Sequence, residues 1–221
     1  MKLQRRPRSI LFRDYWEFDL INSHFTIANA LSGGRFPALR ALVESREAVF
    51  SAFPGFRSDD PAIRKGIKTF FNAVFNGKTI QQGMAGWRYK FPRLSDQFFP
   101  SPFIRDFCRT VPLIHTYLHN LFPSITRRAN YDGVSATTRI LFHCEDSCLD
   151  TLGRQLLAVK CQSRGALGEI GGFLNDALFV WGPSLPPQIA SKLLARVNRR
   201  LDKQWGGPLA FELTPPTSLD I

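Results

Sequence analysis

Two aspartates stand beside apolar runs, at places where a carboxylate can leave a sheet edge and meet a cation. Asp19 closes a segment rich in aromatic and β-branched residues, and Asp176 lies between the apolar runs 172–174 and 177–180. Carboxylate oxygens suit Mg²⁺, and two such ions about 3.5–4 Å apart can promote phosphoryl transfer. One interpretation is that Asp19 and Asp176 serve the same cation site. The simpler alternatives are a helix cap at Asp19 and an ordinary hairpin turn at Asn175-Asp176.

A second group of polar residues follows a helical spacing. Arg64, Lys68, Asn72 and Asn76 are each four residues apart, so on a helix they form one stripe. The two cations can bind a triphosphate, and the two amides supply donors and acceptors for the sugar and base. Acids usually interrupt a solvated helix face, but none occurs between Arg64 and Arg88. The stripe predicts a nucleotide-binding surface, with an ordinary solvated helix face as the alternative.

The charge of the chain favours a polyanionic partner. The 29 Lys and Arg outnumber the 18 Asp and Glu, which gives a net charge of +11. The segment 87–91 interleaves aromatic residues with Arg88 and Lys90, a pattern that suits stacking on unpaired bases, although a charge-shielded edge strand would look the same. The predicted C-terminal helix carries a basic face for which we expect phosphate-backbone contacts; its residues are Lys192, Arg196, Arg199, Arg200 and Lys203.

These segments together resemble the family A DNA polymerases, the bacterial DNA polymerase I group and its phage relatives. The segment 19–24, which begins with Asp19 and ends Asn-Ser-His, resembles motif A of that family. The segment 64–77, with Arg64-x-x-x-Lys68-Thr-Phe and a final glycine, resembles motif B. The segment 173–180 is similar to the motif C hairpin, and 208–213 resembles the closing strand of the family. The order and spacing of these motifs agree across nearly the whole chain.

The resemblance implies a template-dependent DNA polymerase that joins deoxynucleoside triphosphates with two Mg²⁺ ions on a DNA primer–template. Asp19 and Asp176 would be its catalytic and metal-binding residues. Nucleotide binding would fall to Arg64, Lys68, Asn72, Asn76 and His24, and nucleic-acid binding to Arg88, Lys192, Arg196, Arg199 and Arg200. Two alternatives stay open: a non-catalytic DNA-binding relative of the same fold, and a primase-like enzyme that makes RNA.

Several positions depart from the family pattern. Asn175 and Ala177 replace the His and Glu that flank the motif C aspartate, and His24 replaces the glutamate that gates the sugar in motif A. Asn72 and Asn76 stand at aromatic positions of motif B. These changes leave both metal carboxylates in place but alter sugar discrimination. Since only 18 residues precede Asp19, we expect this chain to have no thumb. We expect a second chain, as in a split polymerase, to supply the thumb and the rest of the palm.

Two other clusters offer competing interpretations. The sequence His143-Cys-Glu145-Asp also resembles a motif C tip, but its apolar spacing predicts a helix on which Arg139, His143 or Glu145 faces the primer–template. A zinc site would need His115 and His119 from one helix and Cys144 and Cys148 from another. The four cysteines of the chain, widely spaced, are otherwise expected to be reduced thiols of a cytoplasmic protein in a bacterial or phage-infected cell.

The expected fold is α+β: a polymerase palm with a small antiparallel sheet, a helical fingers insertion and no thumb. We expect palm at 1–33, fingers at 34–134 and palm again at 135–221. No apolar run of 18 residues or more predicts a membrane span. The predicted strands are 9–21, two around a turn in 170–180, and 208–213. The predicted helices are 23–33, 36–53, 59–77, 103–121, 135–162 and 187–204, and 78–102 is predicted to be irregular.

Overall fold

The computed structural model describes residues 12–51, 60–83, 101–132, 135–162, 170–174, 177–207 and 209–216. The strands are β1 (Tyr15–Leu20), β2 (Ile170–Leu174), β3 (Ala177–Trp181) and β4 (Phe211–Thr214). The longer helices are α1 (Ser23–Leu31), α2 (Pro37–Glu44), α3 (Arg46–Ser51), α4 (Pro61–Phe75), α5 (Pro102–Leu121), α6 (Pro123–Asp132), α7 (Ala136–Gln162) and α8 (Pro187–Trp205). None of these helices combines the length and the apolar character that a bilayer span requires.

The four strands form one antiparallel sheet in the order β2-β3-β1-β4. Strands from both ends of the chain therefore meet in a single sheet, and the predicted α+β class is confirmed. The apolar runs beside the two predicted carboxylates are β1 and β3, and they pair as neighbouring strands of the sheet. Burial alternates along β1 because one face of the strand lies in the core. Trp16, Phe18 and Leu20 are buried, and the residues between them are partly exposed.

Two compact units divide the chain. The sheet unit contains the described residues of Met1–Ala30 and His143–Ile221, and the helical unit contains those of Leu31–Phe142. In the sheet unit, α8 buries Ala190, Leu193, Val197 and Leu201 along one stripe at helical spacing. Asn198 on the same helix fixes β4, because its amide both donates to the carbonyl of Phe211 at 3.0 Å and accepts from the Phe211 N–H at 2.9 Å.

The helical unit has a core of phenylalanine rings. Phe71 is 1% exposed and lies with its ring centroid 5.5 Å from Phe70, 5.0 Å from Phe107 and 6.2 Å from Phe50. Helix α4 supplies Phe70 and Phe71 to this core, and its start is fixed by Asp60. The Asp60 carboxylate accepts from the N–H groups of Ala62 and Ile63, which satisfies two backbone donors that the helix leaves open.

Several elements differ from the sequence prediction. The described part of the first strand is shorter, because a turn at 12–14 precedes β1. The helix predicted over 36–53 ends at Glu44 and restarts at Arg46, because Ser45 leaves helical geometry with φ −133° and ψ 36°. Helix α6 lies where the sequence predicted no element, and 80–83 forms a helical turn inside the segment predicted to be irregular. Residues 84–100 lie outside the described residues.

Candidate functional site

Asp19 lies near the end of β1, at the centre of the sheet. Its Cα partners are Ala177 on β3 and Glu212 on β4. Ala177 is the residue directly after Asp176 in the sequence, so β3 begins one peptide bond from the second predicted carboxylate. Asp176 and Asn175 themselves lie outside the described residues. We predict that the carboxylates of Asp19 and Asp176 lie within about 8 Å of each other, which is twice the separation of paired metal ions.

Two further carboxylates share the sheet face of Asp19. Residues directly opposite on antiparallel strands point to the same face, which places Glu212 beside Asp19. Glu17 precedes Asp19 by two residues on β1 and therefore lies on that face too. Glu212 was not among the predicted site residues, although a charged residue between two apolar residues of a predicted strand is the available signal. In the structure it is exposed between buried Phe211 and half-buried Leu213. Among the described residues no group of three His, Cys, Asp or Glu side chains is arranged to hold a metal ion, so the predicted metal site depends on Asp176.

The turn after β1 fixes the start of α1. Asn22 has a positive φ of 47°, and the Thr26 hydroxyl donates to the carbonyls of Ile21 at 3.0 Å and Asn22 at 3.2 Å. The N–H of Ile21 donates to Ala210 O at 3.0 Å, which ties the turn to the segment before β4. Asp19 lies within β1, and α1 begins only at Ser23. The alternative that Asp19 merely caps this helix is therefore wrong.

His24 pairs with a buried carboxylate of the sheet unit. Its Nε2 lies 3.3 Å from Oε1 of Glu145, and the side-chain exposures are 22% for His24 and 6% for Glu145. Glu145 belongs to α7, so the predicted helix around His143-Cys-Glu145-Asp is confirmed and the competing motif C tip is wrong. His143 is exposed and Arg139 partly buried. The burial of Glu145 means that this residue does not face a primer–template.

The predicted nucleotide-binding stripe on α4 is altered in two ways. Arg64 forms a bidentate ion pair with Glu47 of α3, an acid that local sequence around Arg64 could not reveal. Asn76 is the C-cap of α4, and its backbone N–H donates to Asn72 O, so it lies directly after the stripe with its side chain engaged in the cap. Its amide donates to Asn72 O at 2.7 Å, and its oxygen accepts from Thr138 at 3.3 Å. Lys68 is exposed and Asn72 is partly exposed, so these two remain on the stripe with Arg64.

The basic face predicted on the C-terminal helix is present on α8. Lys192, Arg196, Arg199 and Arg200 are all exposed, in contrast to the buried apolar stripe of the same helix. A repeat of four residues on a helix advances about 6 Å, so Arg196 and Arg200 present two charges at neighbouring positions of one face. Arg88 and the aromatic residues around it lie outside the described residues.

The two histidines of α5 form hydrogen bonds through ring nitrogens with residues of the helical unit. His115 Nε2 donates to the carbonyl of Phe75 at 2.8 Å, and His119 Nε2 lies 3.0 Å from the hydroxyl oxygen of Thr137. Burial lowers the pKa of both rings below 6.5; for His115 the bond to Phe75 opposes this shift, and the nearby His119 adds to it. Burial raises the pKa of the Cys144 and Cys148 thiols to about 12. In the part of the chain that the structure describes, no group of three His, Cys, Asp or Glu side chains could hold a metal ion, so the structure gives the zinc alternative no support.

The stability of the chain is expected to fall as the pH drops below the ordinary histidine pKa of 6.5. The unfolded chain takes up protons on His115 and His119 there, whereas the folded chain takes them up only at lower pH. Their contribution to the free energy of unfolding is therefore fully present above pH 6.5. It is lost as the pH falls from there through the pKa values that the two histidines have in the folded chain. Urea unfolding between about pH 7.5 and pH 5 measures the change.

A His115→Gln variant is the matched control, because glutamine keeps a donor for the Phe75 carbonyl but does not titrate. It should show a flatter dependence of stability on pH. An equal dependence in the variant and the wild type would mean that His115 is not one of the groups responsible.

The sheet unit thus brings Asp19 beside the start of β3, and the two units carry separate basic surfaces on α8 and α4. These features supply a carboxylate for a hard cation and cations for phosphate groups. Comparison with models of known protein families gives no match, and comparison with curated proteins gives none either.

Proposed function

We propose that this chain is a template-dependent DNA polymerase that transfers nucleotides with the help of two Mg²⁺ ions. The observation that carries the proposal is the register of the sheet, in which Asp19 pairs with Ala177. That register brings β1 beside the strand that follows Asp176 directly in the sequence. Two aspartates that come from opposite ends of a chain and serve one cation site need such an arrangement.

The donor set around Asp19 suits Mg²⁺. Asp19 and Asp176 would hold the ions, and the carboxylate of Glu212 lies on the same sheet face. Carboxylate oxygens are hard ligands, and Mg²⁺ keeps several waters, so a few protein carboxylates suffice. When bound, Mg²⁺ lowers the pKa of a sugar hydroxyl and neutralises charge on the phosphates.

The remaining tasks fall to basic side chains. In the proposal, Lys68 and Arg64 bind the triphosphate of the incoming nucleotide, and Asn72 contacts its sugar or base. Glu47 already occupies the Arg64 guanidinium, and a carboxylate uses the same two N–H groups that a phosphate would use. Nucleotide must therefore compete with Glu47 for Arg64. The α8 face with Arg196 and Arg200 contacts the phosphate backbone of the primer–template.

A non-catalytic DNA-binding relative is the second candidate, and one observation favours it. Ala177 stands opposite Asp19, fully buried, at the position where the resemblance in motif C would place a glutamate. Loss of that carboxylate removes one oxygen donor from the neighbourhood of Asp19.

Primer extension with Mg²⁺, a primed template and the purified chain, together with any second chain that supplies the thumb, tests the proposal. Extension with deoxynucleotides supports the DNA polymerase, and extension with ribonucleotides alone supports an RNA-making enzyme. Template binding without extension by either nucleotide type, at any Mg²⁺ concentration tested, supports the non-catalytic relative and overturns the proposal.

Nucleic-acid binding should weaken steeply with salt, because each cation that neutralises a phosphate releases counterions. The plot of log K against log salt concentration has a negative slope. Replacing Arg196 or Arg200 by alanine should make this slope shallower by about 1 for each phosphate that the variant no longer neutralises. Fluorescence anisotropy of a labelled primer–template at several salt concentrations measures the slope. Arg154→Ala is the control, since Arg154 is an exposed cation on α7 that pairs with Asp150. Binding that is insensitive to salt, or equal slopes in all variants, would contradict the proposed role of α8.

A further inference from the structure

A stripe of exposed residues on α5 carries two apolar side chains with two opposite charges between them. Eleven residues make about three turns of an α-helix, so Pro102 and Leu113 lie on one side of α5 with Asp106 and Arg109 between them. All four residues are exposed. Leu113, at 61%, is the most exposed large apolar side chain that the structure describes. This α5 stripe therefore offers a protruding leucine beside a pair of opposite charges.

The α5 stripe borders an apolar groove between α5 and α2, within the helical unit. The groove has a volume of about 460 Å³, and α2 lines it with the short side chains of Pro37, Ala38 and Ala41. Helix α5 contributes the ring of Phe103, together with Asp106 and Arg109 of the stripe. An apolar hollow with charged residues at its edge is typical of a surface that docks another protein.

The two charges of the stripe are available to another molecule. Among the residues that the structure describes, neither Asp106 nor Arg109 has an ion-pair partner, in contrast to Arg64, which is paired with Glu47. The Thr110 hydroxyl donates to the backbone carbonyl of Asp106 at 2.7 Å and not to its carboxylate. Each charge can therefore pair with a charge of opposite sign on a docked surface.

The order of residues along the stripe is self-complementary. When two copies of α5 pack antiparallel about a two-fold axis that passes between Asp106 and Arg109, Asp106 of each copy faces Arg109 of the other. Pro102 lies four residues before Asp106, and Leu113 lies four residues after Arg109. The same rotation therefore places Leu113 of each copy opposite Pro102 and next to Phe103 of the other, where the groove is apolar. A parallel arrangement in register would instead bring like charges together.

We propose that the α5 stripe and the groove beside it form the interface of a homodimer with two-fold symmetry. Leu113 of each copy enters the groove of the other, and two Asp106–Arg109 ion pairs fix the antiparallel direction. Each chain carries a net charge of +11, so two copies repel at long range. At physiological ionic strength the Debye length is about 8 Å, which screens this repulsion far more than it screens charge pairs in contact. Dimerisation needs no nucleotide or nucleic acid and does not depend on polymerase activity.

The first measurement is the dimer dissociation constant, from sedimentation velocity of nuclease-treated protein at a series of concentrations. Nuclease treatment removes polyanions that could bridge two basic chains. Leu113→Ser should raise the constant by about 100-fold, because a symmetric dimer loses two buried leucines at once. Leu157→Ser is the matched control, since Leu157 is a leucine of α7 that is 53% exposed. It should change the constant by less than about threefold.

The second measurement tests the antiparallel direction by exchanging charges. Asp106→Arg alone, or Arg109→Asp alone, sets like charges opposite each other at both contacts and should weaken dimerisation by about tenfold. When the two variants are mixed in equal amounts, a copy with Asp106→Arg faces a copy with Arg109→Asp, and both contacts again join opposite charges. The mixture should therefore form heterodimers with about the affinity of the wild type. Circular dichroism of each variant alone checks the fold.

Dimers of the wild type that weaken with Leu113→Ser, and charge variants that recover on mixing, support the proposal. A wild type that stays monomeric at every concentration overturns it and leaves the groove to a helix of a different protein. Dimers that Leu113→Ser weakens no more than Leu157→Ser show that another surface is the interface. Charge variants that stay monomeric when mixed overturn the antiparallel pairing of α5.

Discussion

Asp19→Asn and Asp176→Asn are each expected to reduce primer extension by a factor on the order of 10³, because the loss removes a charge that acts in the transition state. Asparagine keeps the size of the side chain and one oxygen but binds Mg²⁺ far less well than a carboxylate. The fold should survive, since Asp19 is partly exposed in β1 and asparagine fits the same strand position. Extension is measured with a primed template and Mg²⁺, and circular dichroism checks the fold.

Asp14→Asn is the control for this prediction. Asp14 precedes β1, its side chain is 40% exposed beside Arg13, and it carries the same charge as Asp19. We expect this variant to extend primers like the wild type and both site variants to keep template binding. If Asp19→Asn and Asp176→Asn extend as well as Asp14→Asn, these aspartates are not the metal ligands.

Phe71→Ala is expected to destabilise the helical unit by about 4 kcal/mol. The ring is 1% exposed and touches the rings of Phe50, Phe70, Phe103 and Phe107, so its removal leaves a cavity that these neighbours cannot easily fill. The penalty combines the lost transfer of the ring from water with the cost of the cavity. Urea unfolding at neutral pH, followed by circular dichroism, measures the shift in midpoint.

Phe142→Ala makes the same substitution at a surface position of the helical unit. Phe142 is 49% exposed, so its loss should cost less than about 1 kcal/mol. Equal destabilisation by the two variants would mean that the ring cluster around Phe71 does not form the core of this unit.

Local sequence determined most of the elements of this fold. Asp60 followed by Pro61 predicts the start of α4, because an aspartate cap and a proline in the first turn both suit a helix N-terminus, and α4 begins there. Gly33 and Gly34 predict the end of α1, and both adopt positive φ values just beyond it. The strand pattern around 170–180 and the apolar periodicity of α8 are equally local. These features depend on residues within a few positions of each other, which a single sequence displays.

Tertiary structure decided which side chains meet. Glu47 pairs with Arg64 across 17 positions, and Thr138 contacts Asn76 across 62. Each contact joins residues far apart in sequence, so no local pattern predicts it.

The same reason separates what could and could not be foreseen at the candidate site. Asp19 was visible in the sequence because a carboxylate at the end of an apolar strand stands out locally. Its neighbour Glu212 and the partner Glu145 of His24 became apparent only when strand pairing and helix packing joined the two ends of the chain. Sequence alone therefore determined the chemical groups and the elements that carry them. The pairing of distant strands and helices, which depends on burying apolar faces together, decided which of those groups became neighbours.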